Sequence, residues 1–196
     1  YDIPHLKNCC SRSRDSMQNK ITLVVGRKGH GKTTWTKEQL KGKKRLIVVD
    51  HLREYNNGLI FTSFEQLAEY FETEPKTFSC ICRFTDDDEI SALLAFGYEL
   101  GDVTIVAEEV DKVLCSPNWM DENLYNIINY GRHRRIDLFC CARRAGDVHR
   151  TLRAASDEIV TFNQKESRDL DYLEERGFDR NEVANLEKYH NIIIHQ

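Results

Sequence analysis

The sequence predicts an α/β fold with a mostly parallel central sheet flanked by helices. Short β-branched runs recur along the chain. They are apolar throughout rather than alternating, as strands buried on both faces are. Helix patterns opened by capping residues stand between them, so strand and helix alternate. The length of 196 residues suffices for one core without disulfides or metals.

The elements follow in order. Ile21 to Val25 is an apolar strand ending at Gly26, and Lys32 to Leu40 reads as the helix after it. Arg45 to Val49 is a second strand, ending in Asp50. Ser63-x-x-Gln66 is a capping box opening a helix with Leu67 and Phe71, stopped before Pro75. Thr77 to Phe84 reads as a strand, and Thr85-x-x-Asp88 opens a helix with Ile90, Leu93 and Leu94, ending near Gly101. Strand Val103 to Ala107, helix Leu124 to Tyr130 and strand Ile136 to Ala142 follow. Val148 to Ala155 reads as helix and Glu158 to Phe162 as strand. Leu170 to Glu175 is helical with Gly177 as its stop. Asp179-x-x-Glu182 caps another helix, and Asn191 to Ile194 is the last strand.

Tyr1 to Ser16 has no periodicity and no signal-peptide pattern. Its opening resembles an expression-vector spacer, with Met17 as the native start; a disordered native N-terminus is the alternative. Residues 17–196 are expected to form a single domain. No apolar run approaches membrane-spanning length. Lys and Arg number 28 against 32 Asp and Glu, a net charge of −4. That excludes a surface that is polycationic all over. Seven cysteines lack the paired spacing of a zinc site, and several lie in apolar runs. An intracellular, cytoplasmic chain is expected.

Gly26-Arg27-Lys28-Gly29-His30-Gly31-Lys32-Thr33 fits G-x-x-x-x-G-K-[ST] without a gap. It sits between a strand and a helix, as a phosphate-binding loop must. Its glycines let backbone N–H groups turn inward around an anion, and the helix after it points its positive end at the same place. Lys32 reaches the β and γ phosphates, the Thr33 hydroxyl binds Mg²⁺, and Thr34 completes the nucleotide-binding stretch. His30 reads as a tolerated filler.

Glu108 and Glu109 end the strand Val103 to Ala107. A carboxylate there, beside the phosphate loop, lies near Mg²⁺, and a second one can polarise an attacking water. Alone, the pair could equally be two solvated acids at a strand end. From Arg132 to Arg153 there are seven arginines against two acids, Asp137 and Asp147. This is either a solvated basic face or a functional one. In the functional reading one arginine reaches a neighbouring subunit's γ-phosphate, and others meet a nucleic-acid backbone.

The order of these motifs resembles the FtsK/HerA superfamily of P-loop ATPases. The resemblance rests on Gly26 to Thr33, Asp50 to Tyr55, Ile105 to Asp111, Tyr130-Gly131-Arg132-His133, and Leu138 to Ala142 with Arg143-Arg144-Ala145. It runs from about Ile21 to Phe162 and is greatest to compact viral DNA-packaging ATPases. It implies a RecA-like core of the additional-strand, catalytic-glutamate type. It implies a pentameric or hexameric ring with ATP and Mg²⁺ between subunits and double-stranded DNA through the centre, docked on a capsid or portal vertex in the host cytoplasm. By motif match Glu109 is the catalytic glutamate, and Glu108 assists Mg²⁺ through water. Arg132 is the arginine-finger candidate, with Arg135 second. Arg143 stands where the family often has a γ-phosphate-sensing Gln. Arg144, Arg150 and Arg153 are candidate DNA contacts. The extra domains of larger members, a nuclease segment and a transmembrane segment find no counterpart. A small-molecule or nucleoside kinase is the alternative function, and a nucleotide-gated binding module a third.

Overall fold

The computed structural model describes residues 19–196; the N-terminal tag reading lies outside them. Among the described residues there are ten strands: β1 (Ile21–Val25), β2 (Arg45–Val49), β3 (Leu59–Phe61), β4 (Phe78–Cys82), β5 (Val103–Ala107), β6 (Cys115–Ser116), β7 (Trp119–Met120), β8 (Ile136–Ala142), β9 (Glu158–Thr161) and β10 (Ile192–His195). The helices are α1 (Lys32–Gln39), α2 (Phe64–Phe71), α3 (Asp87–Leu100), α4 (Val110–Val113), α5 (Glu122–Tyr130), α6 (Arg150–Ala155), α7 (Ser167–Glu175) and α8 (Arg180–Asn185).

Eight strands form one sheet in the order β10-β9-β1-β8-β5-β2-β4-β3. Every neighbouring pair is parallel except β10 with β9. The expected sheet is therefore the observed one. One face of alternate strand residues, including Leu23, Ile47, Ile105, Leu138 and Ile159, packs into a large core shared with Leu67, Leu93, Leu124, Leu152 and Val183 of the helices. On the other face Leu46, Val48, Ile81, Val106 and Phe139 pack with Leu40 and Tyr55. Trp35 of α1 packs onto this group and onto Val24, Cys141, Val160 and Phe162. Burial on both faces is why the strands read as unbroken apolar runs.

β1 lies between β9 and β8, so the chain leaves it and crosses β8 and β5 before pairing β2 with β5. The carboxyl ends of β1, β8 and β5 thus meet at one crevice, where such sheets bind ligands.

Several boundaries differ from expectation for local reasons. The Ser63 hydroxyl accepts from the Gln66 amide, but Gln66 reaches back to Thr62 rather than Ser63. α3 is capped by Asp86, not Thr85, through the Asp88 amide. Asp121 accepts from the Asn123 and Leu124 amides and starts α5 two residues early. Val148 is extended, and α6 begins only after His149. The short edge strand β3 and the β6–β7 hairpin have too few residues for a periodic signal.

Candidate nucleotide-binding site

The phosphate loop runs from β1 into α1. Gly31, at φ 112°, caps α1 without a side-chain hydrogen bond. Its close approach to the C-terminal part of the chain excludes a side chain: a Cβ would lie 2.8 Å from Tyr189 Cδ1 and 3.2 Å from Phe162 Cε1. Gly26 is equally constrained, since its Cβ would meet Phe162 Cβ at 2.5 Å. Lys32 Nζ donates to the loop's own carbonyls, Gly26 O at 2.7 Å and Arg27 O at 3.4 Å. Burial lowers its pKa, opposed by Cys141 and the acids Glu108, Asp111 and Glu109. Arg27 is fixed to Asn163 through its amide and its guanidinium, and Asn163 in turn donates to Ala184 O and Leu186 O.

Lys32, Thr33, Thr34, Glu108, Glu109 and Arg143 line one cleft with Tyr189. The structure therefore brings together the loop, the acid pair and the predicted sensor position. Lys28, Gly29 and Gly31 line it too, and Arg27, exposed, belongs to the same loop. His30 packs its backbone inward: its carbonyl accepts from the Tyr189 amide at 3.0 Å.

The two acids sit in different surroundings. Glu108 is buried and accepts from the Tyr55 hydroxyl at 2.7 Å. Burial raises its pKa, offset in part by Tyr55 and Lys32. Glu109 has left-handed backbone at φ 48° and is held between Arg143 Nε at 2.7 Å and Lys112 Nζ at 2.9 Å. Burial would raise its pKa, but the bonds from Lys112 and Arg143 hold it below the ordinary value. Gln164 donates to the Arg143 carbonyl at 3.1 Å.

The Thr33 hydroxyl and the Glu108 carboxylate offer two hard oxygen donors in this cleft. Among the described residues no cluster of three or more metal-binding side chains occurs. That donor set suits Mg²⁺, which keeps waters and phosphate oxygens in its shell, and does not suit an all-protein cage.

Two partners of the site, Asn163 and Tyr189, had no sequence signal, and Tyr55 entered only as part of the Asp50 to Tyr55 segment, with no role assigned. Tyr55 is placed by Asp50, which is fully buried and accepts from the Glu54 and Tyr55 amides and from Arg83 Nε.

The basic segment is divided. Arg132 lies within the 3₁₀ turn Gly131–Arg134 before β8, and Arg135 follows it. They lie at the opposite end of the sheet from Arg143, about 25 Å away at ~3.3 Å per residue. β8 is a central strand, so Arg132 stands on the sheet's amino-terminal rim and not at a lateral edge. Neither arginine reaches its own chain's cleft. Arg144 bonds the fully buried Asp169 at 3.0 Å, and the Gly146 amide donates to the same carboxylate. Its guanidinium is thus tied to Asp169 while 39% of the side chain's surface stays exposed. Arg153 lies over the Tyr172 ring, 4.8 Å from its centroid. Arg150 is exposed at the start of α6.

Solved structures of similar fold include the genome packaging NTPase B204 from Sulfolobus turreted icosahedral virus 2 in complex with AMPPCP. It is 20% identical, covers 91% of this chain and 93% of its own, and has a TM-score of 0.74. VirB4 of Thermoanaerobacter pseudethanolicus is 12% identical, with coverage of 93% and 91% and a TM-score of 0.62. No protein-family model and no curated protein matches the sequence. The structural likeness shows the fold: a P-loop NTPase with its mostly parallel sheet, as the motifs implied.

Proposed function

We propose that this chain is an ATP-hydrolysing motor that moves double-stranded DNA, acting in viral genome packaging as a homomeric ring. One observation carries the reading: a second acid, Glu109, shares the cleft of Lys32 and Thr33 and is held there by Arg143. A small-molecule kinase can dispense with such an acid, because its substrate supplies the nucleophile; in a hydrolase a carboxylate at this place can orient and polarise the attacking water. The likeness to the packaging NTPase B204, solved with nucleotide analogues, supports the same reading.

In this mechanism the loop amides and Lys32 bind the phosphates. Lys32 exchanges its resting bond to Gly26 O for the β and γ phosphate oxygens. Thr33, and Glu108 through water, would hold Mg²⁺, which would supply charge neutralisation at those oxygens. Glu109 accepts the proton of the attacking water. Without nucleotide it is paired with Arg143; a γ-phosphate is a competing anion for that guanidinium, and its arrival frees the carboxylate. Arg132 acts on the neighbouring subunit's nucleotide, which its distance from its own cleft permits. Arg150 is the DNA contact; Arg144 and Arg153 have intramolecular roles. The ring, pentameric or hexameric, docks on a capsid or portal vertex in the host cytoplasm. No helix among the described residues is long and apolar enough to cross a membrane.

The test is phosphate release with and without duplex DNA across a salt series. DNA is expected to raise the rate, and rising salt to abolish the gain as phosphate contacts give way to counterions. Glu109→Gln should bind ATP yet release phosphate at least about a hundredfold more slowly, the scale of general-base catalysis. A rate indifferent to DNA at every salt, or transfer of phosphate to a small acceptor, would contradict the reading.

A further inference from the structure

Tyr189 is the feature that the mechanism above leaves unused. It lies in the turn before β10, in left-handed backbone at φ 69°. Its amide is bonded to the phosphate loop at His30 O, and its ring meets Gly31, yet the residue is 59% exposed. An aromatic ring strained in place, pinned to a functional loop and left open to water does little for the core. Such outliers gather at ligand clamps.

Its position in the sheet indicates the ligand. β8 and β5 lie on one side of β1 and carry Arg143, Glu108 and Glu109. The γ-phosphate belongs to that side. β9 and β10 lie on the other side of β1, and Tyr189 lies three residues before the start of β10. A nucleotide whose phosphates occupy the loop therefore extends its nucleoside end away from Glu109 and toward Tyr189. Phe162, on the same side, is buried beneath Gly26 and Gly31 and cannot serve as an open platform. Tyr189 offers a face over which the flexible ammonium of Lys188 is placed, 5.0 Å from the ring centroid.

We infer that Tyr189 is a stacking platform for the base of a bound nucleoside triphosphate, set by its bond to His30 at the nucleoside end of the cleft. The inference rests on the nucleotide-binding reading of the phosphate loop. A π-face attracts any base and favours the larger purine surface. Lys188 moves off the ring face to the edge of the base. Binding of ATP thereby draws on two independent contacts, the phosphate loop and the aromatic platform.

Equilibrium titration with ATP and with inorganic tripolyphosphate separates the two contacts. Wild type is expected to bind ATP more tightly than tripolyphosphate. Tyr189→Ala is expected to weaken ATP about tenfold, the scale of base–aromatic stacking, and to leave tripolyphosphate within about twofold of wild type. Tyr189→Phe keeps the ring and should keep ATP affinity. The unfolding midpoint of each variant serves as the folding control, and Tyr189→Leu replaces the alanine variant if that one fails to fold. Unchanged ATP affinity on loss of the ring overturns the inference. So does an equal loss of ATP and tripolyphosphate, which makes Tyr189 only a prop for the loop. Wild type that binds tripolyphosphate as tightly as ATP overturns the platform but spares the phosphate loop. Wild type that binds neither overturns both.

Discussion

Glu108 and Glu109 are neighbours whose carboxyl groups are driven in opposite directions. Burial lifts Glu108 above its ordinary pKa, while Lys112 and Arg143 outweigh burial and depress Glu109. For Glu108 the folded-state value exceeds the unfolded one, so the folded chain binds the proton more tightly. Lowering the pH through that window stabilises the fold, and at neutral pH the buried charge opposes it. Glu108→Gln is thus expected to raise the unfolding midpoint of nucleotide-free protein near neutral pH, with the gain shrinking as the pH falls toward the ordinary carboxylate range. An unchanged midpoint at neutral pH would show that the burial cost is met elsewhere. The sign for Glu109 is the reverse: its contribution is present above the ordinary carboxylate pKa and is lost as pH falls through the depressed one. The acid pair itself was legible in the sequence from its place at a strand end. Its division of labour was expected from the motif match alone; the bonds from Tyr55 and Arg143 that set the two carboxyls apart were not legible, because those residues lie 53 and 34 positions away.

The segment between β2 and β3 shows how a loop is made specific. Asp50 has no exposed side-chain surface, and its carboxylate gathers the Glu54 and Tyr55 amides and Arg83. Arg83 also donates to the Tyr55 carbonyl at 2.7 Å. The turn is thereby fixed so that the Tyr55 hydroxyl meets Glu108. Arg83→Ala leaves Asp50 with only amide donors, and a loss of about 2–3 kcal/mol is expected in denaturant unfolding. Strong element signals were legible throughout. β1, β2, β5 and β8 match their expected bounds residue for residue because each is apolar on both faces. The two-residue strands β6 and β7, joined through Pro117-Asn118, carried no such signal.

At the scale of the molecule, the sheet order gathers residues from Gly26 to Tyr189 at one end and leaves Arg132 at the other. The phosphate loop and acid pair could be read from spacing; Tyr189 and Asn163 could not, since only the return of the chain through β9 and β10 brings them to the loop. In the proposed motor, a ring is the means by which Arg132, separated from its own cleft, would meet a nucleotide. Lys32→Ala and Arg132→Ala remove groups that would lie on opposite sides of one shared active site. The most direct measurement is phosphate release from each variant alone and from their mixture, with mixed assembly shown independently. Each variant alone is expected to be nearly inactive, since an arginine finger contributes about 10³–10⁵ in rate. Arg132→Ala should still bind ATP. The mixture is expected to regain activity at interfaces where an intact loop faces an intact arginine. Mixed rings that stay as inactive as the single variants, or an Arg132→Ala protein that hydrolyses ATP at the wild-type rate, would contradict a site completed by its neighbour.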